Sequence, residues 1–273
     1  MSGRLVVCPT PIGNLEDVTL RVLSALREAD VVACEDTRRT RILLDRYGVK
    51  ARLVSYHEHN ERGRSAELVG RMREGAVVAL VSDAGMPLVS DPGYLLVRGC
   101  VAAGLPVEVL PGPSAAITAL VASGLPADEW HFHGFLPRKK GELRSLLGGQ
   151  PATLIAFESP RRVPATLAVL AELDPGREVA VCRELTKAHE EIVRGTAAEL
   201  AERYSDDPPR GEVVLVVAPP AAPASEARAP DPAALDALRA LVDAGAHPRK
   251  AATVVASLTG TSANSLYRAL TSE

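Results

Sequence analysis

The amino-acid sequence predicts an α/β protein with two α/β domains and a small helical segment at the end. Short apolar runs alternate with amphipathic stretches over the first 125 or so residues, and a second set of runs follows Gly124-Leu-Pro126. The last 40 or so residues are helical in pattern throughout. The expected boundaries are 1–124 for the first domain, 125–218 for the second, 219–230 for a linker and 231–273 for the helical segment.

Five short apolar runs in the first domain are expected to be strands. Most are continuous, valine-rich and too short for helices, which is typical of strands buried on both faces. The runs are Leu5–Cys8, Val31–Cys34, Arg52–Ser55, Val77–Val81 and Val107–Leu110. Helical stretches between them, near residues 17–28, 38–46, 64–74 and 92–103, favour a parallel sheet with helices on both sides.

The second domain shows the same alternation. Its expected strands are His131–Gly134, Thr153–Phe157, Val179–Arg183, Glu191–Arg194 and Glu212–Val217. Ser159-Pro160 predicts a helix start in which the serine caps the first turn, and Thr196-Ala-Ala-Glu199 has the spacing of a capping box.

The end of the chain begins with a stretch rich in proline and alanine, residues 218–230, which is typical of a linker. Asp231-Pro232 then predicts a helix cap. His247–Ala256 and Ala263–Leu270, with a break near Gly260, have the pattern of a helix-turn-helix pair. A helical hairpin packed on the second domain is the equal alternative.

Net charge, cysteine spacing and the length of the apolar runs each limit what class of protein this chain can be. The formal net charge is -3, so any nucleic-acid surface must be a local basic patch. The cysteines, at positions 8, 34, 100 and 182, form no CxxC pair and are expected to be reduced, buried thiols in the cytoplasm. The sequence has no apolar run long enough for a membrane span, and no signal peptide is predicted.

Three loops rich in glycine and proline follow predicted strands of the first domain. They are Cys8–Asn14, Ser82–Pro87 with Ser90–Gly93, and Pro111–Ala115. Ligands of open α/β sheets bind outside such strand ends, where glycine allows close backbone approach and proline keeps the loop rigid. Each loop alone could be an ordinary turn, and Asp91-Pro92 could be an ordinary helix start.

The chemistry of these loops favours a particular kind of ligand. They lack the basic residues that phosphates require, so a molecule with an adenosine, a sulfonium and an amino acid fits better than a nucleoside triphosphate. Asp83 is the natural carboxylate for it. GxGxxG, P-loop and GxSxG motifs are absent from the sequence, and His57 and His59 fit a surface loop better than a metal site.

Several motifs in order resemble the tetrapyrrole methylase superfamily, over essentially the whole chain. Within it, the chain is most similar to a branch that methylates small-subunit ribosomal RNA. The motifs are Pro9-Thr-Pro-Ile-Gly-Asn-Leu15, Glu35-Asp-Thr-Arg38, Ser82-Asp-Ala-Gly-Met-Pro87, Ser90-Asp-Pro-Gly93, Pro111-Gly-Pro-Ser114, Phe157-Glu-Ser-Pro-Arg-Arg162 and Arg183-Glu-Leu-Thr-Lys187 with Glu190-Glu-Ile-Val-Arg-Gly195.

The resemblance implies an N-terminal parallel sheet, a C-terminal mixed sheet and S-adenosylmethionine in the cleft between the domains. It also implies 2′-O-methylation of a cytidine ribose in 16S rRNA, free or within the small ribosomal subunit, by a homodimer. Carried over by motif, the cofactor-binding residues are Pro11, Gly13, Ser82, Asp83, Ala84, Gly85, Pro87, Ser114, Ala115, Phe157 and Cys182.

A ribose hydroxyl must lose its proton as it is methylated, so an acceptor is required. Residues at predicted strand ends supply the candidates Glu35, Asp36, Glu158, Glu184 and Lys187. Glu35 and Glu158 are preferred, because each directly follows a buried run that directs it to the cleft. The alternative is that these carboxylates only pair with neighbouring arginines.

RNA binding requires cations against phosphate. Three basic clusters fall in loops or helix starts at the expected cleft, and their members are Arg38, Arg39, Arg138, Lys139, Lys140, Arg161 and Arg162. Arg249, Lys250 and Arg268 of the terminal helices could add contacts. A solvated charged face is the alternative for any single cluster.

Two other functions remain open at this point. One is a methyltransferase of the same superfamily that acts on a tetrapyrrole or another small molecule, which would need no basic loops. The other is a non-enzymatic nucleic-acid-binding protein built around the terminal helices, which would give the rigid loops no purpose.

Overall fold

A computed structural model of the chain describes residues 3–220 and 231–271, so most of the expected linker, residues 221–230, lies outside the described residues. The chain divides into two compact units, Met1–Pro219 and Pro220–Glu273. None of the helices within the described ranges is long and apolar enough to cross a membrane.

The first sheet is parallel throughout, as predicted, with the strand order β3-β2-β4-β1-β5. Its strands are β1 (Arg4–Val7), β2 (Val31–Cys34), β3 (Leu53–Ser55), β4 (Val77–Val81) and β5 (Val107–Val109). Its helices are α1 (Leu20–Glu28), α2 (Thr37–Arg46), α3 (Glu61–Arg73), α4 (Tyr94–Ala102) and α5 (Ala115–Ser123).

Both faces of the three central strands are buried, which is why those runs are continuously apolar. Val6, Val32 and Ala79 pack with α1 and α2 on one face. Leu5 and Leu80 pack with α3 and α4 on the other face. The carboxyl ends of the strands therefore meet at one edge of the sheet, and the three glycine- and proline-rich loops leave from that edge.

The second sheet is mixed, as predicted, with the order β6-β7-β10-β8-β9. β6 and β7 are parallel and the other neighbours are antiparallel. Its strands are β6 (Trp130–Phe135), β7 (Thr153–Glu158), β8 (Glu178–Arg183), β9 (Glu191–Thr196) and β10 (Val213–Val217), and its helices are α6 (Lys140–Gly148), α7 (Val163–Leu173) and α8 (Ala197–Arg203).

The two faces of the second sheet have different partners. Leu154 and Ala156 of β7 face the core formed with α6, α7 and α8. Ile155, one residue out of phase, faces α5, where it packs with Ala119 and Leu120. Helix α5 thus joins the carboxyl edge of the first sheet to a face of the second.

Two local predictions about caps have different outcomes. The capping box is present, because the Thr196 hydroxyl accepts from the Glu199 N–H and the Glu199 carboxylate accepts from the Thr196 N–H. The prediction that the Ser159 side chain caps a helix is wrong. A 3₁₀ turn, Pro160–Arg162, does begin there, but the Ser159 side chain makes no capping bond, and its N–H donates to the Glu158 carboxylate at 2.7 Å.

The second unit contains three helices within its described residues: α9 (Pro232–Asp243), α10 (Pro248–Thr259) and α11 (Ala263–Thr271). Asp231 caps α9, as predicted, through a bond from the Ala233 N–H. Leu238, Val255 and Leu266 join the helices in a small core. Gly260, at a φ of 70°, ends α10 in the left-handed conformation that favours glycine.

Candidate active site

A cavity of about 310 Å³, called here the first cavity, lies between the carboxyl edge of the first sheet and the α5-facing side of the second. The loops after β4 and β5 form one wall, through residues such as Ala84, Asp91 and Ser114. Strands β7, β8 and β10 form the opposite wall, through residues such as Phe157 and Cys182. A mostly apolar cleft of this size suits a small-molecule ligand.

The structure brings six of the eleven expected cofactor residues into the first cavity. They are Ala84, Gly85, Ser114, Ala115, Phe157 and Cys182. Pro11, Gly13, Ser82 and Asp83 line a neighbouring space, and Pro87 lines neither. The Cys182 thiol belongs to an inert wall, since burial raises its pKa to about 11 and keeps it protonated.

The loop after β4 is held in an unusual conformation. Gly85 forms an isolated bridge with Thr10 of the first loop, and the Ser82 hydroxyl donates to the Gly85 carbonyl at 3.3 Å. Leu88 and Ser90 have φ angles of 73° and 68°, positive values that residues other than glycine rarely adopt. Backbone held in such a conformation is common at ligand sites, where the surrounding bonds offset its cost.

The charge of the first cavity favours a cation. Three carboxylates, Asp91, Glu158 and Glu212, contribute to its wall, and no lysine, arginine or histidine within the described ranges does so. Burial and the nearby charge of Glu35 raise the pKa of Asp91 to about 6. This donor set fits a ligand with a sulfonium and an ammonium group, and it fits phosphates poorly.

Sequence reasoning missed Asp91 as a site residue. The Asp-Pro pair has the pattern of a helix start, but α4 begins later, at Tyr94, with Gly93 as its cap residue. The Ser90-Asp-Pro-Gly93 motif was the available signal. Because the cap residue of α4 is Gly93, the Asp91 side chain does not cap the helix and lines the cavity instead.

A second cavity, of about 260 Å³, adjoins the first and shares Ile12, Ala84 and Glu212 with it. Its wall includes two cations, Arg39 and Lys187, together with the carboxylate of Asp83. The two spaces therefore differ in electrostatic character, because basic side chains line only the second.

Asp83 acts first as a structural carboxylate. It accepts a hydrogen bond from the Asp36 N–H at 3.0 Å, and it lies 3.6 Å from the Arg39 guanidinium. It therefore fixes the start of α2 relative to the loop after β4. Asp83 lines the second cavity, whereas Asp91 lines the first.

Glu35 lines neither cavity, but it lies within electrostatic reach of Asp91 in the first and of Asp83 in the second. Within residues 3–220 and 231–271, no hydrogen bond or ion pair holds its side chain. Burial and the charge of Asp83 raise its pKa, and Arg39 and His57 oppose that shift. A carboxylate without a fixed partner and with a raised pKa is suited to accept a proton.

Glu158 has a different environment, although it also reaches the first cavity. Its side chain is fully buried, and its oxygens accept hydrogen bonds from the Ser159 N–H and the Thr166 hydroxyl, both at 2.7 Å. Arg162 lies 3.3 Å away. These bonds tie the end of β7 to α7, so the geometry favours a structural role for this preferred candidate.

The side chains of the remaining candidates for the proton acceptor also form hydrogen bonds within the protein. Asp36 caps α2 and binds the Arg38 side chain. Lys187 Nζ donates to Glu184 at 2.8 Å and to Glu212 at 2.9 Å. Burial alone would lower the pKa of Lys187, but these two bonds outweigh it and raise the pKa, so Lys187 is held as a cation.

The loop that carries Lys187 is pressed against the first loop of the chain. The Asn14 N–H donates to the Thr186 hydroxyl at 3.0 Å. A Cβ added to Gly13 would lie 2.5 Å from Lys187 Cγ, so only glycine fits there. Gly13 was expected to approach the cofactor, but its close contact in this structure is with the second domain.

Most of the basic residues that were expected to bind RNA form ion pairs or hydrogen bonds within the protein. Arg38 is paired with Asp36, Arg39 with Asp83, Lys139 with Glu142 and Lys140 with Glu172. Arg162 donates to the carbonyls of Leu136 and Pro137, which buries much of its guanidinium. Arg138 and Lys140 nevertheless lie together with Arg162 around a shallow hollow, and Arg161 is exposed.

Comparisons with known proteins agree with this geometry. The family model described as Tetrapyrrole (Corrin/Porphyrin) Methylases matches residues 4–201. A relative from Mesorhizobium japonicum, named ribosomal RNA small subunit methyltransferase I, is 48% identical over 97% of this chain and 90% of its own length. A protein of the same name from Escherichia coli O157:H7 is 44% identical over 97% and 94%, respectively.

Solved structures share the fold. Uroporphyrin-III C-methyltransferase from Thermus thermophilus, solved in complex with S-adenosyl homocysteine, superimposes with a TM-score of 0.56 at 23% identity. The match covers 79% of this chain and 97% of that one. The family match over most of the chain, together with these relatives, shows that the protein belongs to the tetrapyrrole methylase family and is a methyltransferase that uses S-adenosylmethionine.

Proposed function

We propose that this methyltransferase acts on small-subunit (16S) ribosomal RNA and transfers the methyl group to the ribose 2′-hydroxyl of a cytidine. The observation that carries the proposal is the pair of adjoining cavities, one anionic and one lined by Arg39 and Lys187, in a chain whose relatives are named for ribosomal RNA. The choice of cytidine and of the ribose oxygen follows the family resemblance.

The first cavity is suited to the methyl donor. Of the three carboxylates in its wall, Glu158 is paired with Arg162 and Glu212 with Lys187, so Asp91 supplies the negative charge that stabilises a cationic ligand. The main chain near Ala84 and Ser114 offers polar groups. When bound, S-adenosylmethionine supplies an electrophilic methyl carbon. The walls of both domains restrict the ligand's freedom, and positioning of this kind supplies much of the rate in displacement reactions.

The second cavity is suited to the acceptor. Arg39 and Lys187 are held by Asp83, Glu184 and Glu212, so they remain oriented cations that a phosphate or a ribose oxygen can approach. Because the two cavities share Ile12 and Ala84, an acceptor oxygen in the second can face a methyl group held in the first.

Glu35 is the proposed proton acceptor for the ribose hydroxyl. It lines neither cavity, but it lies within electrostatic reach of Asp91 and Asp83, which do, and it follows β2 directly. Its side chain has no fixed partner within the described residues. Burial raises its pKa, which makes this carboxylate a stronger base than an exposed glutamate. Glu158, the other candidate, would first have to give up bonds that hold β7 to α7.

The exposed cations Arg138, Lys139, Lys140 and Arg161 remain the proposed RNA contacts, together with Arg38 and Arg39. Their surface ion pairs are weak and can be exchanged for phosphate at little cost. A homodimer remains a prediction from the resemblance.

The test is transfer of radiolabelled methyl from S-adenosylmethionine, with two substrates in parallel. One is purified small ribosomal subunits that lack ribose methylation, and the other is free tetrapyrroles. We expect label in RNA and none in tetrapyrrole. Label in the tetrapyrrole alone would retain the family and overturn the substrate, and binding of RNA without any transfer would favour the binding-protein alternative.

A further inference from the structure

The chain contains three phenylalanines, and two of them, Phe135 and Phe157, line the first cavity. Phe132 and Phe135 each pack edge-to-face on Phe157, with ring centroids 5.1 and 5.5 Å apart. Phe132 and Phe157 are partly buried, but Phe135 is 65% exposed although it lines the cavity. The Phe135 ring therefore lies at the rim, with one side available to a ligand.

A bulge in β6 directs this ring to the cavity. Phe132 pairs with Ile155 and Phe135 pairs with Phe157, so β6 advances three residues while β7 advances two. Ile155 and Phe157 lie on the same face of β7, and their partners therefore share that face. Without the extra residue, Phe135 would point to the opposite face. Bulges commonly re-aim a side chain beside an active site.

Neighbouring residues hold the bulge in place. Gly134 has a φ of 75°, which glycine adopts without strain, and a Cβ there would lie 3.3 Å from the Ser90 hydroxyl across the cleft. The Leu136 N–H donates to the Phe157 carbonyl, and Arg162 donates to the Leu136 carbonyl, both at 3.2 Å. The backbone on both sides of Phe135 is thus fixed, although its ring is exposed.

Positive charge follows the ring directly. Arg138, Lys139 and Lys140 begin three residues after Phe135, and all three are exposed. An exposed aromatic ring followed closely in the chain by exposed cations suits single-stranded nucleic acid, since the ring can stack on a base and the cations can contact phosphates. Lys139 and Lys140 would exchange their surface ion pairs with Glu142 and Glu172 for these phosphates.

We propose that Phe135 is a stacking platform for an unpaired nucleobase of the RNA, at or next to the methylated nucleotide. The proposal rests on the proposed RNA substrate and adds the residue that holds a base at the cavity. An aliphatic side chain of similar size cannot replace it, because stacking requires a flat π face. A larger aromatic side chain can.

The test compares Phe135→Leu with Phe135→Trp, and uses Trp130→Leu as a matched control. Trp130 begins the same strand and is 39% exposed, but it does not line either cavity. Three assays are run on each variant: the Kd for S-adenosylmethionine by calorimetry, kcat and KM for methyl transfer to small subunits, and binding of RNA fragments that carry the modified site. Thermal unfolding identifies any variant that fails to fold.

We expect Phe135→Leu to weaken RNA binding and raise the KM for subunits by roughly five- to 150-fold, the range measured for one base–aromatic stack. The Kd for S-adenosylmethionine should stay within about twofold, and Phe135→Trp should retain most of the RNA affinity. Trp130→Leu should match the wild type in RNA affinity and in its Kd for S-adenosylmethionine.

Two results would overturn the inference. Either Phe135→Leu binds RNA as the wild type does, or it weakens S-adenosylmethionine binding as much as RNA binding, in which case the ring is a wall for the cofactor. Failure of the proposed function is a separate result, namely wild-type protein that transfers no methyl group to RNA. RNA binding still tests Phe135 in that case, and a wild type that binds no RNA overturns both.

Discussion

The Glu61 carboxylate caps a helix to which it does not belong: its Oε1 accepts a hydrogen bond from the Gly93 N–H at 3.0 Å. The same oxygen accepts from the Leu95 N–H at 3.2 Å and from the buried Tyr56 hydroxyl at 3.0 Å. Because Gly93 has no side chain to cap α4, Glu61 of α3 satisfies the free N–H groups. It thereby anchors the strained loop that carries Ser90 and Asp91.

We therefore expect Glu61→Ala to release the end of this loop. The free energy of unfolding should fall by about 1–2 kcal/mol, as for loss of a helix cap, and S-adenosylmethionine should bind roughly tenfold more weakly. Hydrogen exchange should increase at the Gly93 and Leu95 amides. Glu61→Gln, which keeps an acceptor oxygen, should recover most of the affinity.

Glu67→Ala is the control on the same helix, since Glu67 is exposed and, among the described residues, its ion pairs are with Arg64 and Arg71 of that helix. It should leave cofactor affinity unchanged. Equal affinity for Glu61→Ala and the wild type would contradict the anchoring role.

The raised pKa of Asp91 links cofactor binding to pH. Its pKa rises from an ordinary 3.8 to about 6 in the folded protein, so between these values the folded state holds a proton that the unfolded chain has released. The contribution of Asp91 to stability therefore falls as pH rises through this window, and it stays low above pH 6. The ionised form, however, attracts a cationic ligand.

Asp91→Asn should separate the two effects. At pH 7.5 the cofactor-free variant should melt at a higher temperature than the wild type, and this difference should shrink toward pH 4. The wild type should bind S-adenosylmethionine more tightly as pH rises from 5 to 7, and the variant should bind weakly at every pH. A melting-temperature difference that does not change with pH would contradict this account.

Glu35→Gln tests the proton acceptor. We expect kcat to fall by about 10²- to 10⁴-fold, the usual range for loss of a general base, with an unchanged Kd for S-adenosylmethionine. Residual activity should no longer rise with pH through the pKa of Glu35. Glu58→Gln, a nearby exposed carboxylate, should be indistinguishable from the wild type. An active Glu35→Gln enzyme would remove this residue from the mechanism.

Glu158→Ala should instead damage folding. Removing a fully buried carboxylate leaves the Thr166 hydroxyl and the Ser159 N–H without their acceptor and deprives Arg162 of its counter-charge. We expect the free energy of unfolding to drop by about 3–5 kcal/mol, as for a broken buried ion pair. Thr166→Val, which removes one of the same bonds, should lower stability by about 1–2 kcal/mol. A stable but inactive Glu158→Ala protein would restore the catalytic role.

The sequence alone could predict the sheets, because strands such as Val31–Cys34 and Val77–Val81 are apolar enough to require burial on both faces. It could also predict that the loops after β4 and β5 come together, and in the structure they line one cavity. It could not separate Asp83 from Asp91, since both follow β4. The loop that places Asp91 in the first cavity and Asp83 in the second includes positive φ angles at Leu88 and Ser90, which the sequence does not signal. Nor could it reveal Glu61, whose partners lie 32 and 34 residues away along the chain.

The β6 bulge marks another limit. A strict alternation from Phe132 would place Phe135 on the wrong face, and a single extra residue leaves little trace in a short run such as Trp130–Phe135. Glu158 was preferred as a catalytic residue, but its oxygens are bonded to Ser159 and Thr166. A carboxylate at a strand end has the same sequence pattern whether it is catalytic or bonded to its own domain.

The most direct measurement is nucleoside analysis of small-subunit RNA after incubation with the protein and isotopically labelled S-adenosylmethionine. We expect the label in 2′-O-methylcytidine, at one site that resists alkaline cleavage. Label in a methylated base, or in several ribose positions without preference, would contradict the proposed reaction.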